Sequence, residues 1–435
     1  MKTASKIEAN EIRAVLLSFS FVFTLMASYY ILRTIRDAMS SNWTDAELST
    51  LYTGTFIFST IAVVIYGQAC SRIKIGHVVP GVYALFAVSF VGFYLTMQSG
   101  LNDGIVNKAF FIWVSVFSVF NVSVFWSFMA DIFTKEQAPR LFAFIASGSS
   151  VGALVGPVFP MFLINVVGRA NLLLISAILL LVPMVLIGIL ERIKHTDLHN
   201  DQLASEQGYE QKLGTNPFAG FKAFFENPYL FGIGVFILCY VTISTFVYFE
   251  LKNLLAGVDE ITRIQIWAGM DWAVNLLAIG TAMFGTSRLS TRFGVTRTLI
   301  LVPAAIAIGL LGVAMAPMLW IVVGLQVVRR AGNYAITRPC REMLFTVVDR
   351  ESRFKAKSVI DTVVYRGGDM VTAWAFTGLT QGIGLGLGAI AGIGALVAVA
   401  WAFVARYLGR TYESNNATPD AIRTAPLEAL ERERA

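Results

Sequence analysis

Arg33, Arg36 and Asp37 fall within one helical turn at the end of a long, almost wholly apolar run, and similar mixtures recur at Arg329-Arg330 and at Asp361, Arg366 and Asp369. Guanidinium groups in such surroundings can grip a carboxylate or a phosphate through two parallel N–H···O bonds. Carboxylates there can carry a proton or hold a neighbouring cation in place. An ionisable group is costly in hydrocarbon, so one that is retained faces a cavity or a partner and marks a pathway.

The elements that would position these groups are membrane helices. The chain has 435 residues, of which 56% are hydrophobic and 14% charged, with a mean hydropathy of +0.66. Soluble domains carry roughly a quarter charged residues. Apolar runs recur that are long enough to cross a ~30 Å hydrocarbon core as helices. Twelve spans are predicted, at residues 12–35, 51–70, 77–98, 108–130, 141–165, 171–190, 228–250, 264–287, 298–316, 318–337, 359–380 and 385–405. The fold class is an all-α polytopic membrane protein of two six-helix halves. Residues 1–190 make the first half, 191–227 a polar cytoplasmic linker, 228–405 the second half and 406–435 a polar cytoplasmic tail. The polar first ten residues and the length of the first span argue against a cleaved signal peptide.

Basic residues orient the chain. With the N-terminus inside, 25 of the 34 Lys and Arg fall on the cytoplasmic side, including Arg72, Lys74, Lys135, Arg140, Lys194, Lys212, Lys222, Arg350, Arg353 and Lys355. Cytoplasmic loops carry that excess, which places both termini in the cytoplasm. The same rule explains the net charge of +6 without a nucleic-acid partner.

Each intramembrane charge then has a predicted place. In span ten, Arg329 lies about 18 Å along the helix from Pro317, past the centre of the bilayer. Asn333 follows Arg329 and Tyr334 follows Arg330 by one turn, extending a polar stripe. Arg329 and Arg330 either face a cavity or snorkel to the interface. In span eleven, Asp369 is within reach of Arg366, three residues before it. Asp361, Arg366 and Asp369 either contact substrate or form structural ion pairs between spans ten and eleven, and exchanging partners would let them do both. Asp271 stands one turn from Asn275 in span eight. Asn121 and Trp126 face a ligand in span four or, for the indole, simply pack. Asp37, four residues after Arg33, is expected to hold it and leave Arg36 the freer cation. Tyr30 precedes that cluster. Gly148, Gly152 and Gly156 give span five a small-residue face suited to close helix approach.

The two halves echo one another. Span one ends in aromatics followed by Arg33, Arg36 and Asp37, and span seven ends Tyr248-Phe249-Glu250-Leu251-Lys252. Such internal repeats are built into major-facilitator-type carriers, whose substrate site lies between the halves near the midplane. Gly67 and Arg72 match two points of that superfamily's loop 2–3 signature, although Ser71 replaces the usual acid. In the second-half loop Arg292 and Gly294 are present, with Thr291 in the acid's place. Gly152, Gly156 and Pro157 partly match a fifth-helix signature associated with antiporters.

YYILRTIRD, NPFAGFKAFFENPYL and KAKSVIDTVVYRGGD together resemble the ATP/ADP translocase (nucleotide transporter) family, and especially its shorter bacterial relatives. The likeness runs from span one to span twelve. The resemblance implies a twelve-helix carrier that exchanges nucleotides or imports them with protons. It also implies that Arg36 occupies the position of a basic residue in the first helix and Glu250 that of an acid in the seventh.

No Ser/His/Asp set, metal cluster or phosphate-cradling Gly-Lys loop is visible, so neither an enzyme nor a cofactor is expected. Cys70, Cys239 and Cys340 are scattered, as are His77, His195 and His199. The expected function is secondary transport of a small-molecule organic anion, nucleotide-like or otherwise phosphorylated, across the bacterial inner membrane by a monomer embedded in the lipid bilayer. The substrate-binding residues would be Tyr30, Arg33, Arg36, Asn121, Trp126, Glu250, Lys252, Asn275, Arg329, Arg330, Asn333, Tyr334 and Arg366. Asp37, Asp271, Asp361 and Asp369 would couple or form ion pairs. The alternative keeps the fold and changes the cargo to a siderophore, drug, peptide or lipid driven by protons. A non-transporting scaffold or an intramembrane enzyme ranks below both.

Overall fold

The computed structural model describes residues 7–73, 75–100, 103–134, 136–198, 224–284, 286–348, 356–357 and 359–432. Lys2, Lys6, Lys74, Lys135, His199, Lys212, Lys222, Arg350, Arg353, Lys355 and Arg434 lie outside the described residues, as does the linker between 199 and 223. Among the described residues every regular element is a helix. In chain order these are α1 (Ile12–Met39), α2 (Asp45–Arg72), α3 (Ile75–Gln98), α4 (Asp103–Ile132), α5 (Ala138–Val155), α6 (Val158–Thr196), α7 (Pro228–Leu254), α8 (Glu260–Phe284), α9 (Thr286–Met315), α10 (Leu319–Gly332), α11 (Arg338–Leu344), α12 (Gly368–Thr377) and α13 (Leu387–Arg432).

Nine of the described helices are long and apolar enough to cross a membrane, so the chain is an integral membrane protein. The three expected spans beyond these nine, at residues 264–287, 318–337 and 359–380, are also helical but carry charge or are broken by π-turns. The π-turns are Asn333–Thr337 after α10, and Val359–Gly367 and Gly378–Gly382 on either side of α12. α1 does not stop at residue 35 as expected but continues through Arg36 and Asp37 to Met39. No Gly or Pro interrupts it there, and Asp37 is buried with cationic partners.

Local chemistry fixes the helix ends. Thr44 and Glu47 form a reciprocal capping box at the start of α2: Thr44 Oγ1 accepts from the Glu47 N–H at 3.2 Å and Glu47 Oε2 from the Thr44 N–H at 2.9 Å. Asp259 caps α8, accepting the Thr262 N–H at 2.9 Å; the Thr262 hydroxyl and N–H hold its carboxyl below the usual range. Gly168 inside α6 (φ 74°, ψ 166°) and Gly294 inside α9 (φ 78°, ψ 164°) turn the chain sharply between successive spans. That backbone region is open essentially to glycine alone. A Cβ added at Gly168 would have no atom within 4 Å, so Gly168→Ala isolates the backbone effect. The expected loss is ~1–3 kcal/mol, measured as a lower denaturation midpoint in detergent. Gly188→Ala, in the regular part of α6 and equally uncrowded, is expected to be neutral or stabilising because alanine is the better helix former.

Two compact units emerge. The first takes in Met1–Lys212 and Leu255–Leu276, the second Leu213–Leu254 and Leu277–Ala435. In the first, α1 packs against α4, α5 and α6, and α3 against α6. The glycine stripe of α5 lies on α1. A Cβ at Gly148, Gly152 or Gly156 would come within 2.6, 2.3 and 2.7 Å of the backbone oxygens of Phe19, Phe23 and Ala27, respectively. α1 and α6 meet through Ser28 and Ser176, each hydroxyl donating to the other residue's carbonyl, at 3.1 and 3.0 Å. In the second unit, α9 packs along α13, and α7 is flanked by α10, α12 and α13.

Candidate functional site

In the first unit the charged turn of α1 forms the core of one cluster. Asp37, 1% exposed, receives two hydrogen bonds from Arg36, from Nε at 2.9 Å and Nη2 at 2.6 Å. Arg33 Nε donates to its other oxygen at 3.5 Å. The expected order is therefore reversed: Arg36 holds Asp37 most closely and also donates to Ser115 Oγ at 3.2 Å. The reason is reach, because the arginine stem folds back across the turn while Arg33 is drawn toward Asp271, whose Oδ2 lies 4.0 Å from Arg33 Nε. Phe111 and Tyr30 lie beneath the guanidinium groups of Arg36 and Arg33, at 5.5 and 5.6 Å.

α8 enters the same cluster through Asp271 and Asn275. Tyr30 Oη donates to Asn275 Oδ1 at 3.2 Å, and Asn275 Nδ2 donates to the Ala153 and Asp271 carbonyls at 3.0 and 2.8 Å. The spacing of Asp271 and Asn275 on one helix face was legible; their juxtaposition with α1 was not, because 245 residues separate Tyr30 from Asn275. Asn121 is buried in α4, where its carbonyl accepts from Tyr83 Oη at 2.9 Å. Trp126 packs between Phe125 and Phe142, each 5.1 Å away.

In the second unit, Arg329 is 3% exposed at the end of α10. Its Nε and Nη2 donate to Gln326 Oε1 at 3.0 and 2.8 Å, and Nη1 donates to Tyr240 Oη at 3.3 Å. These partners are neutral, and no carboxylate among the described residues lies within 4.0 Å of this guanidinium. Arg330 is equally buried. Asn333 and Tyr334 fall in the π-turn that follows and are half-buried. Gln326, at i−3 from Arg329, was discoverable from sequence; Tyr240 on α7 was not.

The second half's carboxylates part company. Asp361 lies 3.7 Å from Arg341, in a cluster with Glu342 and Lys357, and so links the segments after α10 and before α12. Asp369 accepts from Thr245 Oγ1 at 3.5 Å. The Asp369–Arg366 ion pair suggested by spacing is not formed among the described residues, the π-turn before α12 having shifted the helical register. Glu250 and Lys252 are fully buried on α7, with Lys252 Nζ 5.9 Å above the Phe249 ring. Lys194 and Arg140, read from sequence as loop charges, instead pair with Asp131 and Glu11, both at 2.8 Å.

Sequence and fold comparisons place the helical fold in a known family. A family model of the Major Facilitator Superfamily matches residues 15–341. No curated protein matches the sequence. Among solved structures, the chain is similar to a bacterial homolog of the human lysosomal transporter Spinster, in an inward-facing and unoccupied conformation. That match has 14% identity and a TM-score of 0.57, over 95% of this chain and 98% of that one. It is also similar to the nucleoside transporter NupG, with 13% identity and a TM-score of 0.60, over 92% of this chain and 99% of the other. A point mutant of that transporter matches over the same shares, with 14% identity and a TM-score of 0.61. Likeness at these identities is a likeness of fold.

Proposed function

Because the chain belongs to the Major Facilitator Superfamily and is therefore a secondary transporter, not an enzyme, we propose that its cargo is an organic anion of nucleotide or similar phosphorylated type. The observation that carries this reading is Arg329: a buried guanidinium whose hydrogen-bond partners, Gln326 and Tyr240, are both neutral. Burying an uncompensated charge is unfavourable, so the site calls for an anion. A planar guanidinium binds phosphate or carboxylate oxygens in pairs. Arg36, largely neutralised by Asp37, serves better to shape the first unit's cluster than to supply net charge. The motifs that resemble those of the ATP/ADP translocase family favour a nucleotide among the candidate anions, and exchange or proton coupling as the driving force.

In this reading a monomer sits in the bacterial inner membrane with both termini cytoplasmic, as the distribution of basic residues favours. Transport proceeds by alternating access, with Arg329 and Arg330 in anion recognition and the α1–α8 cluster in positioning. The test is uptake by cells expressing the chain, using labelled ATP, ADP, a labelled dicarboxylate and labelled adenosine as the uncharged comparison. Accumulation of the phosphorylated compounds is expected. Accumulation of adenosine alone, or of no anion, overturns the reading.

A further inference from the structure

The candidate site includes five acids, and the structure separates them. Asp37 is held by Arg36 and Arg33, Asp271 lies beside Arg33, Asp361 lies beside Arg341 and Asp369 accepts from Thr245. Glu250 differs from Asp37, Asp271 and Asp361 in having no cation within 4.0 Å among the described residues, and from Asp369 in having no donor. It is 0% exposed, and among the described residues neither of its carboxyl oxygens has a hydrogen-bond partner.

Its surroundings explain the isolation. On α7, Arg329 attaches at Tyr240, ten residues before Glu250 and about 15 Å away along the axis. Asp369 attaches at Thr245, five residues before it, about 7.5 Å away. Arg330, Asp361, Tyr365 and Arg366 lie on the same segments, α10 and the π-turn before α12, toward the N-terminal end of α7. The described ionisable groups of α13 begin at Arg406. Tyr407 and Leu408 lie against Gly232, whereas Gly394 faces Phe246, so α13 presents no ionisable group near Glu250. Residues 370–386, after Asp369, contain none either. Phe249 and Phe246 pack on Phe376 at 5.0 and 5.4 Å, filling the layer below with rings. Lys252, the one charged neighbour on α7 itself, is two residues away, and side chains at that spacing do not face one another on a helix.

We propose that Glu250 is a proton-binding site of this carrier, occupied by a proton in the conformation described here. An ionised carboxylate would have neither donor nor counter-ion in this setting, whereas the neutral acid suits it. The O–H bond breaks when a change of conformation admits water. The proton then leaves to water on one face of the membrane, and the carboxylate left behind takes another from water on the opposite face. The use of that proton rests on the carrier reading above; its presence does not.

Two measurements separate these claims. Infrared spectra of the full chain in lipid nanodiscs at neutral pH are expected to show the C=O stretch of a carboxylic acid free of hydrogen bonds. Glu250→Gln removes that band, Glu250→Asp shifts it and Asp369→Asn leaves it in place. A wild-type spectrum without the band, or one unchanged in both Glu250 variants, overturns the proposal. In proteoliposomes, the ratio of labelled-ATP uptake with and without an imposed proton gradient is expected to exceed one for wild type and fall to one for Glu250→Gln. An unchanged ratio in the variant overturns the coupling role. Wild-type liposomes that take up no ATP count against the nucleotide reading alone, and the infrared result still decides whether Glu250 holds a proton.

Discussion

Arg329→Ala reduces labelled-ATP uptake to the background of untransformed cells, while the protein still folds and inserts. Truncating one partner of a buried, hydrogen-bonded charge pair weakens binding by about 2–5 kcal/mol, or roughly 30- to 4,000-fold. That range applies here because no carboxylate among the described residues lies within 4.0 Å of the guanidinium. Folding survives for the same reason: Gln326 and Tyr240 are neutral, so removing Arg329 breaks no ion pair, and Asp369 keeps its hydrogen bond from Thr245. Arg329→Lys keeps the charge but loses the planar fork that reaches Gln326 and Tyr240 together, and recovers only part of the affinity. Equilibrium binding of labelled ATP to purified protein, paired with thermal denaturation of each variant, measures both halves of the prediction. A variant that binds ATP as wild type does removes Arg329 from the recognition site.

Gly152→Ala is expected to be among the most destabilising single-methyl additions in the chain. The new Cβ would lie 2.3 Å from the Phe23 carbonyl oxygen and 3.0 Å from the Met26 Cβ. The obstructing atom is backbone, so no rotamer change relieves it and α1 and α5 must separate. Overpacking of this kind costs about 1–3 kcal/mol, and more where backbone is displaced. In a membrane there is little hydrophobic drive to compensate, since helix association depends on close packing itself. Gly312→Ala and Gly392→Ala, in α9 and α13, meet nothing within 4 Å and serve as matched comparisons. Denaturation in mixed micelles should rank Gly152→Ala far below both.

Hydropathy sufficed to place the helices, and the unusual residues inside them identified much of the site. Arg33, Arg36, Asp37, Asp271, Asn275, Glu250, Arg329 and Arg330 are buried or nearly so, as cost in hydrocarbon requires. Helical periodicity could pair Gln326 with Arg329 and stack Gly148, Gly152 and Gly156 on one face. It could not say which helix lies opposite. Arg33 with Asp271, Tyr30 with Asn275 and Tyr240 with Arg329 are contacts of tertiary packing, made across long stretches of chain. Nor could a 3.6-residue period reveal the π-turns at Asn333–Thr337 and Val359–Gly367. Those turns change the register and explain why Asp369 reaches Thr245 and misses Arg366. Asp37 misled because i,i+4 spacing favours Arg33, whereas Arg36 folds back onto Asp37 and Arg33 also lies beside Asp271.

Four buried charges, Arg263, Asp271, Arg329 and Arg330, lie on segments that the bilayer accepts less readily than the long apolar helices. α8, α10 and the stretch around α12 fall outside the nine helices long and apolar enough to cross a membrane. An arginine or aspartate at the centre of a helix opposes translocon-mediated insertion by about 2.5–3.5 kcal/mol. Each of these segments finds its polar partners on helices made earlier: α8 on α1 and α5, α10 on α7, and α12 on α7. Biosynthesis therefore has a built-in order. Each charged segment is expected to wait at the translocon until it meets the earlier helix that offers the hydrogen bonds lipid withholds.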